Sequence, residues 1–136
     1  MIDLFSNDTF VALNSGLDAT ALRQQVIANN IANINTPGYK KQDVSFEEEL
    51  KHAVDSKYNS NLKRTDPRHL PASSSLSSVG INVKSLGGTS MRYDGNNVDI
   101  DEEMTKLAEN NIKYNAIAQL MGARFNTLKT VINGGR

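Results

Sequence analysis

Nine residues near the C-terminus, Met104, Leu107, Asn111, Tyr114, Ala118, Met121, Phe125, Leu128 and Ile132, follow an alternating three-four spacing without a slip. That period puts all of them on one stripe of an α-helix and forms the seam of a coiled coil, so this stretch calls for a partner helix. Asp99 with Glu102 three residues on reads as a capping box, Asp101 and Glu103 place negative charge at the positive helix end, and Gly134-Gly135 ends the segment. The expected helix covers residues 99–133 and is about 50 Å long. Ile112, Ile117, Leu120 and Val131 lie off the seam, so the helix needs neighbours on more than one side. Asn111 stands within the seam, where an asparagine either fixes register and partner number or marks a turn of the seam toward water; Asn115 fits either reading.

A first helix is expected over residues 8–35, capped by Asp8 or Thr9, with Phe10, Leu13, Leu17, Ile27, Ile31 and Ile34 as its apolar stripe. Thr36-Pro37-Gly38 stops it, because proline disfavours helical backbone at the residue before it and glycine accepts positive φ. Ahead of that stop the chain reads Ala28-Asn29-Asn30-Ile31-Ala32-Asn33-Ile34-Asn35. Asparagine is an indifferent helix former, and Asn29 and Asn33 lie one turn apart on one face, so helix propensity does not account for them.

The middle, residues 36–98, is loop-rich. Ser45-Phe46-Glu47-Glu48 reads as a capping box opening a short amphipathic helix that fades near Tyr58, with Phe46, Leu50, Ala53 and Val54 on its apolar side. Residues 59–80, with Asp66-Pro67, Leu70-Pro71 and the Ser73 to Ser78 tract, read as linker. Ile81 to Ser85 and Thr89 to Tyr93 are weakly alternating runs about Leu86-Gly87-Gly88 and predict a small β-hairpin. The expected class is therefore mainly α, with long terminal helices packed as a coiled coil, a short third helix and an extended irregular middle, all within one domain spanning 1–136.

Fifteen Lys and Arg balance fifteen Asp and Glu, which leaves no electrostatic footprint for nucleic acid or an anionic membrane. The chain has no cysteine, so disulfides and thiolate metal sites are excluded and export into an oxidising space is tolerated. Residues 1–10 contain Asp3 and Asp8 and neither a basic segment nor a long apolar run, so neither a cleaved signal nor a membrane span is expected. His52 and His69 lack any partner at metal-ligand spacing. Asp94 to Glu103 lacks the acidic spacing of a calcium loop, and Gly87-Gly88 lacks the following Lys-Ser or Lys-Thr of a phosphate loop. No acid and base pair is marked out, so neither enzyme activity nor a cofactor is expected.

The stretch Ala28 to Tyr39 resembles the N-terminal signature of the bacterial flagellar axial proteins, the rod, hook and hook-associated family. Asn29, Asn30, Ile31, Asn33, Thr36, Pro37, Gly38 and Tyr39 carry the match as an assembly motif, and the resemblance continues through Asp43, Phe46 and Leu50 and through Asp94 to Asp99. The short middle, the Asp66 to Leu70 segment, the Leu107 to Met121 stretch and the Ile132 to Arg136 terminus are most similar to the innermost proximal rod subunit. The resemblance implies a structural protein that assembles with copies of itself and other rod proteins into the tubular drive shaft. It also implies contact with membrane-ring or rod-adaptor proteins, export by the flagellar type III apparatus without signal cleavage, and a periplasmic site in the basal body. Alternatives are another proximal rod subunit or, from a different class, a helical secretion chaperone or coiled-coil binding module.

Overall fold

The computed structural model describes residues 8–59, 79–88 and 92–134. The elements in chain order are α1 (Asp8–Ala32), β1 (Gln42–Ser45), α2 (Glu47–Asn59), β2 (Asn82–Ser85) and α3 (Ile100–Ile132). The linker reading of residues 59–80, with Asp66 to Leu70, lies almost wholly outside the described residues, as does the start of the Thr89 to Tyr93 run.

α1 and α3 form an antiparallel pair. Phe10 meets Phe125 edge-on with ring centroids 5.5 Å apart, Asn110 reaches the Thr20 carbonyl, and Asn30 reaches Glu103. α1 stops at Ala32, three residues before the expected Asn35, and Asn33 then donates its backbone N–H to both Asn29 and Asn30. α3 starts after Asp99, whose carboxylate accepts the Asp101 N–H. Glu102 does not complete the expected reciprocal box, because its carboxylate is held by Lys41 and Lys106 instead.

The short sheet differs from the expected hairpin. β2 forms where a strand is expected, and it pairs antiparallel with β1, Gln42 opposite Ser85 and Ser45 opposite Asn82; the expected partner run at 89–93 lies largely outside the described residues. β1 lies where the sequence predicts no strand. It earns its place through Val44, which points inward and joins Ala19, Val26 and Phe46 in the buried core, with Leu22, Leu50, Val79 and Ile81 around them. Ser45 is consequently a strand residue, its hydroxyl buried and without a hydrogen bond, and α2 begins at Glu47 instead of being capped by Ser45. Three glutamates in the first turn of α2 suit the positive end of the helix. Ala53 is buried, and Leu50 half-buried, on the side predicted to be apolar.

The apolar core thus sits between α1, β1 and α2, while the contact between α1 and α3 combines polar bonds from Asn30 and Asn110 with Ile117 against Gly16 and Phe125 against Phe10. Gly16 marks a close approach: a Cβ built there would lie 3.3 Å from Ile117 Cδ1. The face α1 buries runs through Gly16, Ala19, Thr20, Val26, Ile27 and Asn30; of the expected stripe only Ile27 is fully buried, and Leu17, Ile31 and Ile34 are half-buried.

Candidate assembly site at the end of the first helix

Asn30 is fully buried, and its side chain uses all of its hydrogen-bonding capacity. Its Nδ2 donates to the Gln42 carbonyl at 2.8 Å and to Glu103 Oε2 at 2.9 Å. Its Oδ1 accepts from the Gln42 N–H at 3.0 Å and from the Tyr39 hydroxyl at 3.2 Å. One amide therefore ties α1, the turn, β1 and α3 together. Burial of the Tyr39 hydroxyl, followed by the nearby Glu103 charge, raises its pKa above the ordinary value. Glu103 itself is 1% exposed, with Lys106 Nζ 3.7 Å from its second oxygen.

Thr36 to Tyr39 has the pattern of a type II turn, with Pro37 second, Gly38 third at φ 72°, and the Tyr39 N–H donating to the Thr36 carbonyl at 3.3 Å. Across from it, Gly95 takes φ 82° in a second turn, closed by its N–H to the Arg92 carbonyl. The two turns interlock: the Gly38 N–H donates to the Asp94 carbonyl at 2.9 Å, and Lys40 Nζ donates to the Gly95 carbonyl at 2.7 Å.

The next two residues satisfy what these elements leave open. Asn96 Nδ2 lies within 3.0 Å of the Asn33, Ile34 and Thr36 carbonyls, so one amide caps the frayed end of α1. Its Oδ1 accepts the Val98 N–H. Asn97 accepts the Lys41 N–H at 2.7 Å and donates to the Leu86 carbonyl at 2.7 Å, which extends the β1 and β2 ladder by one side-chain rung. Both asparagines are buried.

Two ion pairs brace the flank. Arg23 makes paired bonds to Glu47, each 2.6 Å, and a third to the Val44 carbonyl at 3.0 Å. The hydrogen bond from Arg23 lowers the Glu47 pKa, against an opposing effect of burial, and raises that of Arg23 in return. Hydrogen bonds from Lys106 and Lys41 hold Glu102 down to about 2.

The expected motif residues divide accordingly. Asn30 and Tyr39 are brought into the centre, Asn33 bonds locally to the Asn29 carbonyl and accepts from Thr36, and Ile31 is half-buried. Asn29, Thr36, Pro37 and Gly38 are exposed. Of the seam residues, Met121 is buried and Leu107 and Leu128 are half-buried, whereas Met104, Asn111, Tyr114, Ala118, Phe125 and Ile132 are exposed in the single chain. α3 instead turns Glu103, Asn110 and Ile117 toward α1, one residue out of step with the predicted stripe, a rotation of about 100° in the first turns. The reason is polar: Glu103 and Asn110 find hydrogen-bond partners on α1, at Asn30 and the Thr20 carbonyl, whereas Met104 and Asn111 are turned to the exposed side. The buried asparagine is therefore Asn110, and Asn111 faces water. The sequence marks Glu103 only as charge at the helix start and Asn96 and Asn97 only within the Asp94 to Asp99 resemblance, and it does not mark Asn110. Asn30 lies three residues after Ile27 and four after Val26, and that spacing was the available signal.

The family model for the flagella basal body rod protein matches residues 12–40, from the first turns of α1 through Lys40. Along its whole length the chain is similar to the flagellar basal body rod protein FlgB of Bacillus subtilis (strain 168), 43% identical over 137 residues that cover 99% of this chain and 100% of that protein. This chain belongs to the flagellar basal body rod protein family. The FlgB proteins of Borrelia hermsii and Salmonella typhimurium (strain LT2) are 36% identical over 120 residues and 33% over 123. Those matches cover 85% and 88% of this chain and 89% and 88% of the two relatives. The family match on residues 12–40 takes in Gly16, Thr20, Arg23 and Asn30, the α1 positions that receive α3 and β1, together with the Thr36 to Tyr39 turn. Among the described residues no helix is long and apolar enough to cross a membrane.

Proposed function

We infer that this chain is a structural subunit of the proximal rod of the flagellar basal body, acting as one axial domain over residues 1–136. Copies of it assemble with one another and with other rod proteins into the tubular shaft that carries torque from the membrane ring toward the hook. The observation that carries this reading is the end-to-end correspondence with FlgB of Bacillus subtilis. It favours a rod subunit over a secretion chaperone or a free-standing coiled-coil module. Exposed apolar side chains along α3, among them Met104, Ile112, Leu120 and Ile132, supply surface for neighbouring subunits, and the exposed part of the seam belongs to that surface. Membrane-ring or rod-adaptor proteins meet it at the rod base. The flagellar type III apparatus exports it, without cleavage of a signal, to the periplasm.

The test is genetic and structural together. A strain lacking the gene is expected to be non-motile and to yield basal bodies without a rod, with both defects restored by the intact gene and the protein recovered in purified basal bodies. Swimming cells with complete rods in its absence would refute the assignment.

A further inference from the structure

Asn133 is the only asparagine in the chain that precedes a glycine, and it stands where α3 ends. Its backbone N–H closes the last helical bond, to the Lys129 carbonyl at 3.0 Å, and its own angles, φ −80° and ψ 10°, break the run. Beyond it Gly134 takes φ 68°, and its N–H reaches the Val131 carbonyl at 3.2 Å. Both residues are exposed, and nothing lies within 4 Å of a Cβ built on Gly134. Among the described residues the Asn133 side chain has no hydrogen-bond partner.

That combination is what ring closure at an asparagine needs. The Gly134 nitrogen attacks Cγ of Asn133: a bond forms between them, the bond from Cγ to Nδ2 breaks, and the amide nitrogen leaves as ammonia with the proton that Gly134 gives up. Solvent water then opens the cyclic imide. Addition at Cγ gives an aspartate at 133; addition at the Asn133 backbone carbonyl carbon gives an isoaspartate, whose main chain runs on through the side chain. Glycine has no Cβ to screen its nitrogen and turns readily into the geometry of the ring, and a helix end frays at little cost.

Elsewhere the fold withholds the same reaction. Asn30, Asn96 and Asn97 are buried, and their side-chain amides are committed to carbonyls and a carboxylate. Asn111, Asn115 and Asn126 lie inside α3, where the following nitrogen is tied into the helix ladder. Asp94-Gly95 is the one aspartate-glycine pair in the sequence and closes the same ring by losing water. There, however, Asp94 Oδ1 accepts the Asn96 N–H at 3.1 Å, and the Gly95 N–H donates to the Arg92 carbonyl at 3.0 Å.

We propose that Asn133 is a site of spontaneous deamidation that alters the end of α3 with time. Either product adds a negative charge where the helix dipole is already negative, with Lys129 as the basic residue of that last turn. The turn also carries Val131 and Ile132, both exposed, and it loosens with them.

The test ages the full-length protein in mildly alkaline buffer, folded and in urea, and maps its peptides by mass spectrometry with enzymatic methyl labelling of isoaspartate. In the folded protein the label, and the mass gain of OH in place of NH2, are expected first at Asn133, at a rate that rises with pH because the attacking nitrogen must lose its proton. Label at Asp94 is expected only in urea. Asn133→Gln, which would have to close a larger ring, is expected to lose the signal at 133 and to keep the helix content seen by circular dichroism. Asn133→Asp is expected to speed hydrogen exchange at Ile132 and Gly134 and to leave the amides around Asn110 unchanged. An Asn133 that deamidates in urea and not in the folded protein would overturn the proposal, by showing that the bond to Val131 keeps the site closed. Labelling of Asp94 at the same rate in both states would overturn the protection assigned to its turn, and unchanged exchange in Asn133→Asp would overturn the consequence for α3.

Discussion

Asn30 and Glu103 lie 73 residues apart in the chain and share a hydrogen bond of 2.9 Å in the buried centre of the molecule. The bond sets the register of α1 against α3 through a polar contact rather than an apolar one. It also explains why a carboxylate with 1% exposure is accommodated at the start of a helix that elsewhere meets α1 through Asn110, Ile117 and Phe125.

Replacing Asn30 by Leu removes four hydrogen bonds at once and leaves both polar groups of Gln42 without their partner. Each buried polar group left unpaired costs about 1–3 kcal/mol, so denaturant unfolding is expected to show a loss above about 3 kcal/mol. Asn29→Ala, at an exposed position one residue earlier, is expected to stay within about 0.5 kcal/mol. Equal effects of the two would refute the central role of Asn30.

Acid is expected to weaken the link between β1 and α3. Glu102 is held at about 2 in the folded chain, below its ordinary 4.5, by Lys106 and Lys41. A depressed carboxylate stabilises fully above its unfolded value, and that stabilisation is lost as pH falls from about 4.5 toward about 2. Glu102→Gln should flatten the stability profile in that window and leave it unchanged near neutrality in slope. A variant with the same acid sensitivity as the unsubstituted protein would remove Glu102 as the cause.

Gly38 and Gly95 are required by backbone angle rather than by space, since nothing lies within 4 Å of a Cβ built on Gly38. Gly38→Ala is expected to cost about 1–2 kcal/mol, and Gly38→Asn less, because asparagine visits positive φ more readily. Thermal melts of the two variants decide this; an Asn variant no better than the Ala variant would place the defect elsewhere.

Asn96→Ala takes away the amide that serves three carbonyls at the end of α1. Hydrogen exchange should accelerate at Thr36 and Gly38, with the amides around Ile27 unaffected. Uniform acceleration along α1 would mean that Asn96 supports the whole helix and not its end.

Phe125 is 47% exposed and touches Phe10 edge-on. Phe125→Ala should cost the single chain only about 1 kcal/mol, yet give a protein that is secreted and not incorporated, in a non-motile cell. Lys106→Ala is a different case from a silent surface change, because Lys106 bonds Glu102 and approaches the buried Glu103. A Phe125→Ala strain that swims normally would exclude this side chain from subunit packing.

The sequence by itself determined the two long helices, the turn at Thr36-Pro37-Gly38, the start of α3 at Asp99 and the strand at residues 82–85. These follow from local causes: period, capping residues, proline and positive-φ glycine. Only the tertiary structure decided which face of each helix is buried, because the inward stripe of α3 carries Glu103 and Asn110, whose burial is favourable only once Asn30 and the Thr20 carbonyl stand opposite them. It likewise decided that β2 pairs with Gln42–Ser45, and that Asn96 and Asn97 close the end of α1 and of the sheet. Those choices depend on hydrogen-bond partners some sixty residues away in sequence, and no local pattern in the chain records where such partners will be.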